Sequence, residues 1–207
     1  MTKVAAIVLA AGRSSRFRAA GGAEETKLVA MLGGKPIVLR VVEAALASRA
    51  RPVVVVVGHA RCAVEAALGG LPTTIVLNPD YATGLASSLR AGLAATPADV
   101  EGALVLLGDM PNVDARLIDS LIAAFEARPE AHAVAPVQKG RRGNPILLGR
   151  TLFDEAMRLE GDEGARRIVA ALGKRDIAEV HASGNGSTFD VDTPGDLLEK
   201  SQPRSED

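Results

Sequence analysis

The stretch "KVAAIVLAAGRSSR", residues 3–16, decides how the rest of the chain is read. An unbroken apolar run without polar alternation describes a strand buried on both faces, and such strands belong to mostly parallel sheets covered by helices. A secretory signal would also begin with a lysine, an apolar run and small residues. This run is too short to cross a membrane and passes into an arginine-bearing loop rather than a cleavage region, so it is read as a first strand.

Outward from it, the pattern repeats. "PVVVVVGH" (52–59), "TTIVLNP" (73–79), "GALVLLGD" (102–109), "HAVAPV" (132–137) and "NPILLG" (144–149) are short apolar runs of the same kind. Segments of helical period separate several of them, and helices are expected over 36–49, 60–69, 86–95, 114–127, 150–157, 163–172 and 194–200. Asp114 suits the cap of the helix over 114–127, and the last helix has Asp192 or Thr193 to cap it and Pro194 at its first position. Strands alternating with helices imply an α/β fold with a mostly parallel sheet. A single domain over residues 1–200 is expected, followed by a disordered tail, "SQPRSED", at 201–207.

Composition narrows the function classes. The chain has 207 residues, 47% of them hydrophobic, enough for one sizeable core. Lys and Arg number 24 against 25 Asp and Glu, a net charge of −1, so no global field points to nucleic acid or an anionic membrane. Anion binding must be local. The lone cysteine, Cys62, excludes an intramolecular disulfide and a cysteine zinc site, and His59, His132 and His181 lack ligand spacing. A reducing cytoplasm is the expected compartment.

In open α/β sheets, ligands sit outside the carboxyl ends of the strands. The segments found there are "AAGRSSR", "GHA", "NPDYATGLASS", "GDMPN" and, near the chain's end, "DVDTP". The first is not a dinucleotide fingerprint, because Gly12 is followed by "RSSRF" and the second strand ends without an acidic residue. It is not a Walker loop, since "GGAEETKL" has Thr26 in place of the last glycine and Leu28 in place of the magnesium-binding hydroxyl. A GxSxG elbow is also absent. What remains is Gly12, which permits close backbone approach, with Arg16 and Lys27 as charges for a polyphosphate. Asp109 follows a strand too apolar to be anything but buried, where a hard cation could sit. Asp190 and Asp192 lie two residues apart, on one side of an extended segment, and could complete an oxygen-ligand magnesium site. For Asp192, helix cap and metal ligand both stay open.

Together, "LAAGRSSRF", "TKLVAMLGGKPIV", "NPDYATGLASSLRAGL", "LLGDMP", "GRRGNPILL", "GDEGARRIV" and "DVDTPGDL" make the chain resemble the MobA-like molybdenum cofactor nucleotidyltransferases over residues 4–198. The resemblance implies a three-layer α/β/α, Rossmann-like nucleotide-diphospho-sugar transferase fold of the GT-A type. It also implies transfer of a nucleotide from a nucleoside triphosphate onto the phosphate of molybdopterin or the molybdenum cofactor, with release of pyrophosphate. Guanylyltransferases of the family tend to read LAGG where cytidylyltransferases read LAAG, so Ala10 and Ala11 lean toward CTP.

Residue by residue, the resemblance implies that Leu9, Ala10, Ala11 and Gly12 approach the base and phosphates through their backbone, and that Asn78, Gly84 and Ser88 lie along the nucleoside. Arg16, Lys27 and Asp109 become the catalytic set. Asp109 is the principal Mg²⁺ ligand, with Asp190 or Asp192 as the second. Arg142, Gly143, Asn144, Pro145 and Arg166 would face the molybdopterin acceptor, and a molybdoenzyme or its chaperone would be the protein client. One departure stands out. The family usually reads Arg, Met, Gly, two residues, then Lys, whereas "RFRAAGGAEETK" has Phe17 and Arg18 for Met and Gly and about six extra residues. This insertion is expected to bulge outward.

The chemistry needs no general base, because a phosphate monoester, with a second pKa near 6, is already a nucleophile at neutral pH. Two other readings share the nucleotide half of the site: a guanylyltransferase or another nucleotidyltransferase for a sugar phosphate or other small phosphorylated metabolite, and a non-catalytic chaperone that binds molybdopterin or nucleotide. Presence of Asp109, Asp190, Asp192, Arg16 and Lys27 together points to catalysis, since a binder has no need of the full set.

Overall fold

The computed structural model describes residues 2–183 and 186–198. The tail expected at 201–207 and the last two positions of the helix expected over 194–200 lie outside the described residues. Strand β1 (Val4–Ala10) leads through helix α1 (Ser15–Ala19) to a small antiparallel pair, β2 (Met31–Leu32) and β3 (Lys35–Pro36). There follow α2 (Ile37–Ala47), β4 (Val53–Val57), α3 (Arg61–Leu68), β5 (Thr74–Leu77), α4 (Leu85–Ala94), β6 (Gly102–Leu107) and α5 (Ala115–Ala127). The remainder is β7 (Ala133–Gln138), β8 (Arg141–Arg142), β9 (Ile146–Gly149), α6 (Phe153–Ala156), α7 (Ala165–Ala171), β10 (Ile177–His181) and α8 (Pro194–Leu198).

The main sheet has the order β10-β7-β9-β6-β1-β4-β5, with β8 paired to β7. Pairings β1–β4, β1–β6, β4–β5 and β7–β10 are parallel, whereas β9 runs antiparallel to both β6 and β7. From β1 the chain first winds outward through β4 and β5, then returns to place β6 on the other side of β1. That reversal opens a crevice outside the carboxyl ends of β1 and β6, where a ligand is favoured.

The sheet's two faces read directly from alternation in β1. Val4, Ala6, Val8 and Ala10 enter one core with residues of α2, α3 and α5. Ile7 and Leu9 enter the other with residues of α4, α6 and α7. The result is the expected three-layer α/β/α, Rossmann-like architecture. Asp114 caps α5, its carboxylate accepting from the Leu117 amide at 2.8 Å. A third, smaller cluster joins Phe17, Ala30, Leu32, Ile37 and Val191, away from both.

Two expectations about strands fail for tertiary reasons. The run at 73–79 was read as buried on both faces, but β5 is the sheet's edge, with Ile75 37% and Leu77 48% exposed. Conversely β10 was not anticipated, because Glu179 and His181 interrupt its apolar character where its own edge position leaves them exposed. Among the described residues, no helix is long and apolar enough to cross a membrane.

Candidate active site

The crevice predicted by topology is a cleft of about 640 Å³. Of the residues expected at the nucleotide and its phosphates, Leu9, Ala11, Gly12, Arg16, Lys27, Gly84, Ser88, Asp109 and Asp192 line it. Strand parity puts the Ala10 side chain in the core beneath α2, fully buried, so that the part expected of this residue falls to its backbone alone. Arg13, Ser14, Tyr81 and Asp162 also line the cleft. Sequence reasoning did not single them out, although Arg13, Ser14 and Tyr81 lie in segments already placed at the sheet's carboxyl edge, and Asp162 in the "GDEGARRIV" segment of the family resemblance.

The centre of the cleft is an ion cluster. Lys27 Nζ lies 2.7 Å from Asp109 Oδ2 and 3.1 Å from Asp192 Oδ1, and Arg16 Nη1 lies 3.0 Å from Asp192 Oδ2. Lys27 and Asp109 are mostly shielded, at 14% and 21% side-chain exposure, while Arg16 is 82% exposed and free to follow a ligand. Burial alone would lower the Lys27 pKa, but the charge and hydrogen bond of Asp109, joined by those of Asp192, outweigh it and hold the ammonium above its ordinary value. Asp192 goes the opposite way: burial would raise its carboxyl, yet the hydrogen bond and charge of Lys27, then those of Arg16, hold it below the usual range. Burial, followed by the charges of Asp109 and Asp192, pushes Asp190 up.

Lys27 reaches this position despite the insertion. Ser14 Oγ lies 2.9 Å from Thr26 Oγ1 and accepts from the Lys27 amide at 3.1 Å, so the two ends of the segment are clasped together. Thr26 is fully buried. Loop-closure cost rises only slowly with length, so the extra residues between the clasped ends are tolerated. The insertion also does not simply bulge outward. Arg18, Ala19 and Ala20 are exposed as expected, but Phe17 is 1% exposed and packs beside Ile37 and Val191. A Cβ on Gly22 would lie 2.2 Å from the Phe17 ring, so glycine is required for the loop to close over it.

The carboxylates arrive from two directions. Asp109 follows β6, and its carbonyl accepts from the Val191 amide at 3.0 Å, tying the late segment to the end of that strand. Val191 is buried, which turns Asp190 and Asp192 toward the other side of the extended segment. The open question about Asp192 is answered by Asp196, whose Oδ2 accepts from the Asp192 amide at 3.0 Å and from the Thr193 amide at 2.7 Å. A carboxylate reaching back to the start of α8 does the capping, and the Asp192 side chain is left to Lys27 and Arg16.

Asn78 does not line the cleft. It is 2% exposed, and its amide donates to Ser87 Oγ at 2.9 Å and Ser88 Oγ at 3.0 Å, setting the start of α4. The expected acceptor residues are also not gathered at the cleft. Arg142 Nε donates to Glu179 at 2.8 Å and Nη1 to the Val169 carbonyl at 3.4 Å. Gly143 packs on the Ser187 backbone, and the buried Asn144, followed by a cis bond to Pro145, donates its amide to Ser187. Arg166 is exposed on α7 and absent from the lining. From its neighbourhood it is Asp162 that enters, carried by a loop whose Gly161 carbonyl accepts from the Ala86 amide at 3.0 Å.

Among the described residues, no three His, Cys, Asp or Glu side chains are arranged to hold a metal ion, so Asp109, Asp190 and Asp192 do not form a three-ligand cage. The Lys27 ammonium stands between two of them instead. Asp109 and Asp192 still fit Mg²⁺, which is commonly held by one or two carboxylates plus substrate phosphates and water.

Comparison with known proteins gives the family and the fold. The family model described as the MobA-like NTP transferase domain matches residues 6–177. Bifunctional protein GlmU of Sorangium cellulosum is 33% identical over 186 residues, 87% of this chain and 37% of that protein. The chain spans only 26% and 37% of the first two curated relatives it matches. The crystal structure of Rv0371c from Mycobacterium tuberculosis H37Rv superposes with a TM-score of 0.83 at 27% identity, covering 97% of this chain and 99% of that one. A complex of Rv0371c with manganese gives a TM-score of 0.80 at 26% identity, covering 96% and 98%.

Proposed function

Because the chain belongs to the MobA-like NTP transferase family, we propose that it is a nucleotidyltransferase that moves CMP from CTP onto the phosphate of molybdopterin and releases pyrophosphate. The observation that carries the reaction type is the Asp109–Lys27–Asp192 cluster, with Arg16 beside it, at the reversal point of the sheet. Ala11, buried against the end of β4 where an LAAG reading places the base, supports the smaller nucleotide.

The chain's own residues have three tasks. Gly12 lets the triphosphate approach the loop backbone. Lys27, and Arg16 from the mouth, offset negative charge as the acceptor oxygen bonds to the α-phosphorus and the bond to the β-phosphate bridge breaks. The cleft walls hold the acceptor in line, the largest remaining contribution when the nucleophile is already ionised. Mg²⁺ held by Asp109 and Asp192 would supply charge neutralisation on the transferring and leaving phosphates. The manganese complex of Rv0371c supports a divalent cation in this role.

A second acceptor reading is favoured by one observation: Arg142 is engaged with Glu179 and Val169, outside the cleft. On that reading the same nucleotide half serves a sugar phosphate or another small phosphorylated metabolite. The test is a thermal-shift panel of CTP, GTP, ATP and UTP, each with and without Mg²⁺, followed by pyrophosphate release with molybdopterin or a sugar 1-phosphate as acceptor. A nucleotide at 100 times its dissociation constant stabilises the fold by about 2.7 kcal/mol. Stabilisation by GTP alone overturns the CTP assignment, and pyrophosphate release with the sugar phosphate alone overturns molybdopterin. Stabilisation by nucleotide without turnover on either acceptor favours a binding chaperone.

A further inference from the structure

The cleft is chemically two-ended. Lys27, Asp109 and Asp192 gather where β6 flanks β1. On the other flank, at the end of β4, stands Tyr81, and a Cβ on Gly58 would lie 2.7 Å from the Tyr81 Cβ and 2.9 Å from the Ala11 Cβ. Adjacent strands are about 4.8 Å apart, so the ionic and aromatic ends are separated by roughly 10 Å. A nucleoside triphosphate has the same polarity, a flat aromatic base at one end and its charge at the other.

We propose that Tyr81 is the stacking platform for the nucleobase and that the base enters between its ring and the Arg13 guanidinium. This rests on the nucleotidyltransferase reading above. The ring is braced from one direction by His59, at 6.0 Å between centroids and 47° between planes. Arg13 lies over the ring at 5.9 Å from its centroid. A base sandwiched between two flat groups needs contact distances of about 3.5 Å on each side, so Arg13 must withdraw by roughly 1 Å. It is exposed at the mouth of the cleft. Arginine and tyrosine each attract a π-face, which makes the bracket tolerant of base identity and leaves discrimination to the backbone beyond Ala11.

The chain has one tyrosine and no tryptophan, so tyrosine emission reports this site alone. Titration with CTP is expected to quench that emission saturably, while inorganic tripolyphosphate, which fills only the ionic end, leaves it unchanged. Tyr81→Ala should weaken CTP about 5- to 150-fold and leave tripolyphosphate affinity as it was, with Tyr81→Phe close to the parent. CTP that binds by thermal shift without changing tyrosine emission overturns the platform and spares the nucleotidyltransferase reading. So does Tyr81→Ala weakening CTP and tripolyphosphate equally. Failure of all four nucleoside triphosphates to bind overturns both.

Discussion

Two loops at the same edge of the sheet are rich in glycine and arginine, and they have opposite fates. In the segment from Gly12 to Lys27, Arg16 and Lys27 turn to the carboxylates of the cleft. In the segment from Arg141 to Pro145, Arg142 turns away to Glu179 and a helix carbonyl, and the backbone is bound to Ser187. Composition does not separate them. Topology does: the first follows β1, from which the sheet winds both ways, whereas the second feeds β9, the antiparallel strand wedged between β6 and β7. A cation becomes useful to a ligand where the backbone opens a crevice, and becomes a brace where it does not.

That contrast can be broken by mutation. Lys27→Ala should lower kcat by about 10²- to 10³-fold, the usual cost of removing one preorganised charge, with the thermal midpoint retained. A loss of only a few-fold would put Lys27 in the same class as Arg142. Thr26→Val removes the hydroxyl half of the clasp but keeps the side chain's shape, and kcat should fall between about 10- and 100-fold as Lys27 loses its register. Thr26→Ser should restore it; equal effects from both substitutions would assign Thr26 to packing alone.

Asp190 sharpens the contrast through pH. Its carboxyl titrates above the ordinary 3.8, for which burial and then the charges of Asp109 and Asp192 are responsible. Ionising it therefore costs stability, a cost absent below 3.8 and complete once pH has passed the raised folded-state value. In chelator-containing buffer, Asp190→Asn should raise the thermal midpoint at neutral pH and leave it unchanged below that window. A pH-independent gain would deny the crowding. The smallest effect belongs to Arg142→Ala, expected to leave kcat and KM for nucleotide intact and to cost at most about 1 kcal/mol of stability, as exposed pairs do. A large rise in KM for the acceptor would return this loop to the site.

Much of this was legible in the sequence, for physical reasons that also explain the misses. An apolar run such as β1 has no solution except burial on both faces, and Asp109 directly after β6 has nowhere to go but the sheet's edge. Edge position is not local information, so β5 was read as core and β10 was not read at all. Side-chain direction at the end of a strand depends on register, which is why Ala10 proved to be core while Leu9 and Ala11 line the cleft. The family resemblance groups Lys27 with Asp192, and the two side chains meet across 165 positions of sequence. It could not reveal how the extra residues were accommodated, because the clasp depends on two hydroxyls, Ser14 and Thr26, that are unremarkable in any linear pattern.

The small third cluster, with Phe17 seated against Val191, has a consequence for biosynthesis. The loop after β1 is among the first parts of the chain to be made, yet both its apolar anchor and the second carboxylate for Lys27 come from residues 191 and 192. Contacts so distant in sequence form late. A nascent chain can therefore lay down β1, β4 and β6, and pair Lys27 with Asp109, while the ammonium still waits for its second carboxylate, and the cleft acquires its full charge arrangement only when translation has passed Asp192.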